Sequence, residues 1–328
     1  MRHVIGIDIG TQSTKAVLID ERGGLVAQAS TAYQVDSPHP LWAEQWPQVW
    51  MAAVEQCIRA VVSGREEVAR SVKALCISSL YGGSGIPVDA GGTPLAPCII
   101  WMDRRAQDEV AWVRANVDVD RLHDITGNGV DSYYGYTKML WLRAKRPDVC
   151  ARTRHFVPRN AYVIAQLTGE LAVDHSSAGN IGGVYDIGRR QWSAPMLEAL
   201  GIPHEMMPTR LVESSAIVGA LSTARAADLG LPADLPVVAG GVDAAVATLA
   251  AGARREGNHV AMIGTSMCWG TIRTSVDARH GLIAMPHVLN GLRDLYVFGG
   301  AITAGASVTW FRENFCEGEV IEGKARGV

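Results

Sequence analysis

Short runs of apolar, β-branched residues alternate along the chain with segments in which apolar residues recur every three or four positions. Residues 4–9 form the first apolar run, and the runs 16–19 and 25–31 follow after a polar loop and a turn. Runs of this kind, bounded by turn residues, predict three consecutive strands. A dinucleotide-binding fold would instead pass from its first strand into a helix. The opening therefore predicts a β-meander.

Segments of helical periodicity and further short strands follow this meander. Helices are predicted over residues 46–60, 138–144 and 161–167, and Pro47 suits the first position of the first helix. Strands are predicted at residues 74–79, 98–101 and 237–239, followed by a helix at residues 245–251. The alternation of strands and helices indicates an α/β fold.

The pattern of the first strand returns late in the chain. Residues 3–11 read HVIGIDIGT and residues 259–265 read HVAMIGT, and hydroxyl residues and a β-branched stretch follow each copy. A repeated strand–turn–strand unit predicts two related domains that open in the same way. Two unrelated hairpins are the alternative interpretation.

Composition narrows the class of protein. The 328 residues suggest about two domains, and a net charge of −3 with 19% charged residues gives no sign of a nucleic-acid partner. The six cysteines show no C-x-x-C pair or zinc spacing, which fits a reducing compartment. The N-terminus lacks the features of a signal peptide. We therefore expect a cytoplasmic protein.

The longest apolar stretch, residues 236–253, carries Asp243 near its middle. A charge in that position argues against a membrane span and for a buried element with a functional carboxylate. We therefore expect no membrane partner.

The first candidate site is the segment DIGTQSTK at residues 8–15. A strand delivers Asp8 to a tight turn, where Gly10 lets the backbone approach a ligand. The hydroxyls of Thr11, Ser13 and Thr14 and the backbone amides can donate to phosphate oxygens, and Lys15 adds a positive charge. A carboxylate beside phosphate requires a cation between them, and Mg²⁺ suits these ligands. A plain hairpin turn is the alternative.

The second candidate is the segment GGVDAA at residues 240–245, which places Asp243 at the start of a helix in apolar surroundings. The helix dipole favours the charged carboxylate while burial disfavours it, and such a group can act as a general base toward a hydroxyl. An ordinary N-cap Asp is the alternative. A third segment, Gly264-Thr265-Ser266, is a second hydroxyl turn of phosphate size.

These segments, in this order, resemble the FGGY carbohydrate kinases of the actin-like ATPase superfold, and among them the xylulokinases are most similar. The resemblance extends over nearly the whole chain. Its further motifs are WAEQ at 42–45, IWMDRR at 100–105, KMLWL at 138–142, LTGE at 167–170 and DHSSA at 174–178.

The resemblance implies a ribonuclease-H-like sugar-binding domain over residues 1–236 and, over residues 237–328, the incomplete start of a similar ATP-binding domain. It implies ATP and Mg²⁺ as cofactors, Asp243 as the general base and Asp8 as the residue that holds Mg²⁺ through water. The implied phosphate-binding residues are Gly10, Thr11, Gln12, Ser13, Lys15, Gly264, Thr265 and Ser266. The implied sugar-binding residues are Tyr81, Gly82, Gly83, Trp101, Asp103, Arg104 and Asp243.

The chain departs from the xylulokinase pattern at the sugar. Residues 81–85 read YGGSG where xylulokinases carry Met-His-Gly, and Ala244 replaces an Asn after the base. The family's later adenosine-binding motif has no counterpart after residues 310–312. A structural alternative to sugar binding is equally consistent with residues 101–104. In that interpretation Trp101 packs in the core, and Asp103 and Arg104 form a surface ion pair.

The resulting hypothesis is ATP-dependent phosphorylation of a sugar hydroxyl, with a pentulose such as xylulose as the expected acceptor. Sugar and MgATP are the expected partners, and a homodimer is left open. A non-catalytic sugar- or nucleotide-binding module of the same fold is the alternative. A nicotinamide dehydrogenase is excluded because no G-x-G-x-x-G follows the first strand.

Overall fold

The structure is a computed structural model that describes residues 1–79, 83–264, 267–276, 281–301, 303–316 and 318. Strands and helices alternate along this part of the chain, as the sequence predicts. The strands are β1 (His3–Ile9), β2 (Ser13–Asp20), β3 (Leu25–Ala32), β4 (Glu44–Gln45), β5 (Val72–Ser79), β6 (Ile86–Val88), β7 (Cys98–Ile99), β8 (His155–Val157), β9 (Val173–Asp174), β10 (Tyr185–Asp186), β11 (Gln191–Trp192), β12 (Leu211–Val212), β13 (Ile217–Ala220), β14 (Pro236–Val238), β15 (His259–Ile263), β16 (Met267–Arg273), β17 (Ile283–Pro286) and β18 (Leu295–Ala301).

The helices lie mainly between the strands of the first half. They are α1 (Pro47–Val62), α2 (Glu66–Ser71), α3 (Gln107–Asn116), α4 (Val119–Thr126), α5 (Gly135–Lys145), α6 (Pro147–Arg152), α7 (Arg159–Thr168), α8 (His175–Asn180), α9 (Ala194–Leu200), α10 (Thr223–Leu229), α11 (Asp243–Ala250) and α12 (Gly305–Phe315), with a 3₁₀ turn at His204–Met206. None of the helices in the described part of the chain is long and apolar enough to cross a membrane.

A mixed six-stranded sheet in the order β13-β14-β5-β1-β2-β3 forms the first half. The predicted β-meander is confirmed, because β1 pairs antiparallel with β2, and β2 with β3. On its other edge β1 pairs in parallel with β5, and β5 with β14. This arrangement brings the carboxyl ends of β1, β5 and β14 to the same edge, where a ligand site in an α/β sheet is expected.

Helix α1 covers one face of this sheet. Pro47 begins the helix, as predicted, and the buried residues Trp50, Val54 and Ile58 recur at helical spacing. They pack against the strands of the meander, whose Ile5, Ile7 and Ile9 are buried as well. Every second residue of β1 and the residues on one face of α1 are therefore buried in the same core.

A second, four-stranded sheet follows in the order β15-β16-β18-β17. The hairpin β15–β16 has the same antiparallel pairing as β1–β2, in agreement with the predicted repeat. The predicted boundary between residues 236 and 237 falls at β14, which pairs within the first sheet. The strand pairing therefore places the change of sheet after β14, and the second sheet begins at His259.

The second sheet contacts the first half of the chain through its edge strand β17. The side chain of Asn128 accepts a hydrogen bond from the backbone N–H of Ala284 at 3.0 Å and donates to its carbonyl at 2.9 Å. Helix α8 packs on β17, and a Cβ on Gly179 would lie 2.4 Å from Cδ of Pro286. Only glycine allows this approach, which holds the edge strand of the second sheet against the first half of the chain.

Candidate active site

Asp8 lies near the carboxyl end of β1, between two polar neighbours. In the sheet it is opposite Lys15 of β2 and Ser78 of β5. The Ser78 hydroxyl donates to Oδ1 of Asp8 at 3.0 Å. Burial raises the pKa of Asp8, while the hydrogen bond from Ser78 and the charge of Lys15 oppose that rise. A cation facing the second carboxylate oxygen would stabilise the ionised form.

The turn after β1 is fixed by hydrogen bonds from behind. The Gly10 amide donates to the carbonyl of Ser13 at 2.9 Å, and the Tyr33 hydroxyl donates to the carbonyl of Gly10 at 2.8 Å. A Cβ on Gly10 would lie 2.9 Å from the Ser13 carbonyl oxygen, which is too close for a side chain. The side-chain amide of Gln45 donates to the carbonyl of Thr11 at 2.9 Å. The backbone of the predicted phosphate loop is therefore positioned before any ligand binds.

Asp243 is the first residue of α11. The N-cap position belongs to Val242, so the alternative of an N-cap Asp does not hold. The backbone turns sharply before it at Gly240, where φ is +63° and a Cβ would lie 1.9 Å from the carbonyl oxygen of Ile77 on β5. The Val242 amide donates to Oγ of Ser176 at 3.0 Å. This close approach to β5 brings Asp243 to the edge of the sheet where Asp8 lies.

Burial and, after it, the negative charge of Asp8 raise the pKa of Asp243 to about 6. The N–H of Ala244, which donates to Oδ1 of Asp243 at 2.6 Å, opposes the rise. The result is a carboxylate that accepts a proton more readily than an exposed Asp and is still largely ionised at neutral pH.

Two cavities meet at Asp243. The acidic cavity, of about 360 Å³, is lined by Asp8, Ser78, Asp243, Ala244, Val246, Ala247 and Met262. The aromatic cavity, of about 280 Å³, is lined by Thr11, Trp101, Tyr133, Asn180, Val242, Asp243, Ala244, Met285 and Phe298. Larger cavities of about 810 and 690 Å³ lie elsewhere and include neither Asp8 nor Asp243. The two cavities are therefore identified as the candidate site by the carboxylates of Asp8 and Asp243 and not by their volume.

The donor atoms of the acidic cavity are oxygens: two carboxylates and a hydroxyl. No cluster of three or more His, Cys, Asp or Glu that could hold a metal occurs among the described residues. A cation here would need water and phosphate oxygens to complete its shell. That is the usual coordination of Mg²⁺, which keeps several waters and binds through one or two carboxylates. The residues present therefore fit this ion.

Trp101 links the two predicted sites. Its indole N–H donates to the hydroxyl of Thr11 at 3.1 Å, and both residues line the aromatic cavity. The sequence placed Thr11 with the phosphates and Trp101 with the sugar. The structure brings them into contact, at the boundary between those two regions.

Asp103 lies behind the cavity, fully buried, with 0% of its surface exposed. It accepts from the Ala43 amide at 2.6 Å and pairs with Arg105 at 2.7 Å. Arg105 in turn pairs with Glu44 at 2.8 Å and lies 3.7 Å from the ring centroid of Trp42. The expected ion pair exists, but it is buried and uses Arg105. Because these contacts occupy its carboxylate, we leave Asp103 out of the proposed sugar contacts.

Arg104 does not line the aromatic cavity. Its guanidinium donates to the carbonyl of Trp101 at 3.3 Å and lies 3.8 Å from the Asp131 carboxylate. It thus supports the loop that carries Trp101 rather than lining the wall with it.

The remaining predicted phosphate- and sugar-binding residues that the structure describes do not line the two cavities at Asp243. Gly83 lines a small neighbouring cavity with Ser79 and Arg159. Gly264 directly follows strand β15, whose Met262 lines the acidic cavity. The carbonyl of Gly264 accepts from the Gly305 amide at 2.9 Å. Gln12 and Lys15 are exposed, and Ser13 is half-buried. Tyr81, Gly82, Thr265 and Ser266 lie outside the described residues.

Four residues of the aromatic cavity were missed by the sequence reasoning: Tyr133, Asn180, Met285 and Phe298. Tyr133 lies just before the KMLWL motif and Asn180 just after the DHSSA motif, so each motif pointed to a neighbouring site residue. Met285 and Phe298 belong to the second sheet and carried no local signal.

Comparison with known proteins identifies the family of the chain. Residues 3–250 match the model of the FGGY family of carbohydrate kinases, N-terminal domain. The chain therefore belongs to the FGGY family of carbohydrate kinases. Xylulose kinase of Escherichia coli (strain K12) is 34% identical over 262 residues, covering 80% of this chain and 52% of that protein. Gluconokinase of Bacillus subtilis (strain 168) is 28% identical over 320 residues, covering 97% of this chain and 61% of that protein.

Among solved structures, xylulose kinase from Rhodospirillum rubrum superposes with a TM-score of 0.91 at 29% identity, covering 98% of this chain and 66% of that chain. The predicted ribonuclease-H-like α/β fold is thereby confirmed. The chain spans roughly half to two thirds of the length of these relatives.

Proposed function

We propose that this chain carries the general base and the sugar-side cavity of an ATP-dependent carbohydrate kinase whose acceptor is a small polyol such as a pentulose, xylulose above all. The observation that supports this proposal is the position of Asp243, which lines both the acidic and the aromatic cavity. A carboxylate between a phosphate site and a sugar site can deprotonate the hydroxyl that attacks the phosphoryl group.

The properties of Asp243 suit that role. A general base works best when its pKa lies near the working pH, and burial together with Asp8 raises the pKa of Asp243 to about 6. Asp243 accepts the hydroxyl proton as the acceptor oxygen forms its bond to the γ-phosphorus of ATP, while the bond from that phosphorus to the β–γ bridging oxygen breaks and ADP leaves. The start of α11 stabilises the ionised form before the reaction.

Asp8 and Ser78 supply the oxygen side of the acidic cavity, where Asp8 would hold Mg²⁺ through water. When bound, this ion supplies neutralisation of the charge on the phosphate groups. The phosphate groups of ATP are assigned to Gly10, Thr11, Gln12, Ser13 and Lys15 from the first hairpin and to Gly264, Thr265 and Ser266 from the second. Phosphoryl transfer depends mainly on such positioning and charge stabilisation.

The aromatic cavity supports a small acceptor. Its volume of about 280 Å³ lies at the lower end of ligand pockets, and its walls mix aromatic rings with a few polar groups. Trp101 forms one wall, and Tyr81, Gly82, Gly83 and Arg104 are retained as neighbours on that side. The similarity to xylulose kinases favours a pentulose. The six free thiols agree with a cytoplasmic location.

The test is a panel of acceptors, namely xylulose, ribulose, glycerol and gluconate, with acceptor-dependent ADP formation from MgATP as the readout. We expect xylulose to have the highest kcat/KM. A best substrate other than a pentulose would refute the acceptor, and binding of sugar or nucleotide without turnover would favour the non-catalytic module.

A further inference from the structure

Asn180, the last residue of α8, is a buried amide whose hydrogen bonds are not accounted for. It is 0% exposed, and neither its Oδ1 nor its Nδ2 has a hydrogen-bond partner of standard geometry among the described residues. Most buried polar atoms in folded proteins have a partner. The Asn180 side chain interacts with the Tyr133 phenol, but neither of its polar atoms forms a hydrogen bond of standard geometry, so the amide remains available to a ligand.

The helix that carries Asn180 is held firmly. Asp174 caps it by accepting from the Ser177 amide at 2.9 Å, and Asn160 donates to the second oxygen of Asp174 at 2.8 Å. Ser176 accepts from the Val242 amide, one residue before Asp243. Asn180 and Asp243 are thus fixed relative to each other through α8, so the open amide is not explained by a loose segment.

Asn180 lines the aromatic cavity together with Tyr133 and Asp243. Burial raises the pKa of the Tyr133 phenol, and the neighbouring Asn180 side chain partly opposes that rise. The phenol therefore stays protonated and can donate or accept a hydrogen bond. Apart from these three polar groups and Thr11, the lining is mainly apolar, with Val242, Met285 and Phe298 among its members.

We propose that Asn180 binds the acceptor substrate by donating to one of its hydroxyls and accepting from another, and that this amide selects neutral polyols over sugar acids. An amide offers one acceptor and two donors but no charge. Two neighbouring hydroxyls of a ketose or alditol match that pattern, because each can donate and accept.

The charge of the cavity supports the selection. No Lys or Arg is among the described residues that line it, whereas Asp243 contributes a negative charge. Arg159 lowers the pKa of Asp243 through its charge but lines a neighbouring cavity with Ser79 and Gly83. A carboxylate on the substrate would be desolvated here without a cation in the lining, which is unfavourable. This inference rests on the proposed function and specifies its substrate.

Asn128 provides a matched control. It is also a fully buried Asn, but its amide donates to the carbonyls of Thr126 and Ala284 and accepts from the Ala284 amide. Asn128→Ala removes made hydrogen bonds and should lower the thermal stability of the free protein without changing ligand affinity. Asn180→Ala removes an unsatisfied amide and should leave that stability unchanged or raised.

The experiment measures the melting temperature of the unliganded protein and the affinities for xylulose, ribulose and gluconate by titration calorimetry. We expect Asn180→Ala to weaken xylulose binding by about 10- to 100-fold, as for two lost hydrogen bonds, and to narrow the preference for xylulose over gluconate. Destabilisation comparable to that of Asn128→Ala, with unchanged xylulose affinity, would overturn the inference.

The outcomes separate this inference from the proposed function. If the unmodified protein binds none of the three compounds, the proposed acceptor class is wrong and the inference falls with it. If it binds xylulose and the Asn180→Ala variant binds xylulose equally well, only the inference is wrong.

Discussion

Asp243→Asn should stabilise the unliganded protein at neutral pH while strongly reducing turnover. Burial and the charge of Asp8 raise the pKa of Asp243 from 3.8 to about 6. Because one pKa unit corresponds to about 1.4 kcal/mol, ionising this carboxylate in the folded state costs about 2–3 kcal/mol, allowing for its partial contact with solvent. The Asn variant has the same shape and does not incur this cost.

The sign of the pH dependence follows from linkage. The folded-state pKa is raised, so the folded state binds the proton more tightly than the unfolded state between pH 3.8 and about 6. The wild-type protein therefore loses stability relative to the variant as the pH rises through this window. The advantage of Asp243→Asn should be absent below the lower value and complete above the upper one.

The assay is urea unfolding of both proteins without Mg²⁺ or nucleotide at several pH values across this window. Asp20→Asn is a control of opposite sign, because backbone hydrogen bonds from Gly24 and Arg22 lower the pKa of that exposed carboxylate. Asp20→Asn should therefore reduce stability at neutral pH. If Asp243→Asn is destabilising, or if its gain does not change with pH, the carboxylate is not held in the environment described above.

Three further results are expected. In an assay of ADP formation from MgATP, Asp243→Asn should lower kcat by about 10²- to 10⁴-fold, with sugar affinity, measured by calorimetry, retained. A near-normal kcat would contradict the role of Asp243 as base. Asp8→Ala should weaken Mg²⁺-dependent turnover more than sugar affinity. Because the variant lacks the negative charge that raises the Asp243 pKa to about 6, the acid limb of its pH–rate profile should move to lower pH. A fall in sugar affinity alone would place Asp8 in the sugar site. Asp103→Ala should remove one of the two carboxylates that pair with the buried Arg105, which keeps Glu44, and should lower the free energy of unfolding by about 1–3 kcal/mol. A change in sugar affinity at unchanged stability would return Asp103 to the sugar site.

Local patterns predicted the opening meander and α1, because each depends on its own hydrophobic periodicity and, for the helix, on Pro47 at its start. Asp243 was also located correctly at the start of α11, since the double glycine before it marks a sharp turn next to an apolar helix. These features are determined within a few residues of sequence.

The cavity walls could not be predicted in the same way. Tyr133 precedes α5, Asn180 ends α8 and Phe298 lies in β18, and they meet only because three separate elements pack around Asp243. Asp103, in contrast, was suggested by a sequence motif but is fully buried behind the cavity. Its motif placed it beside the sugar, but the stacking of Arg105 on Trp42 draws the ion pair into the interior. Both results depend on contacts between residues far apart in the chain.

The placement of Asp243 between two separate cavities has an evolutionary consequence. Substitutions in the aromatic wall, such as those at Asn180 or Phe298, alter the acceptor side without touching Asp8 or Ser78 on the other side. The wall that carries Trp101 is also anchored from behind by the buried pair of Asp103 and Arg105. Acceptor preference can therefore diverge between descendants by exchange of a few side chains, while the phosphoryl-transfer chemistry is inherited unchanged.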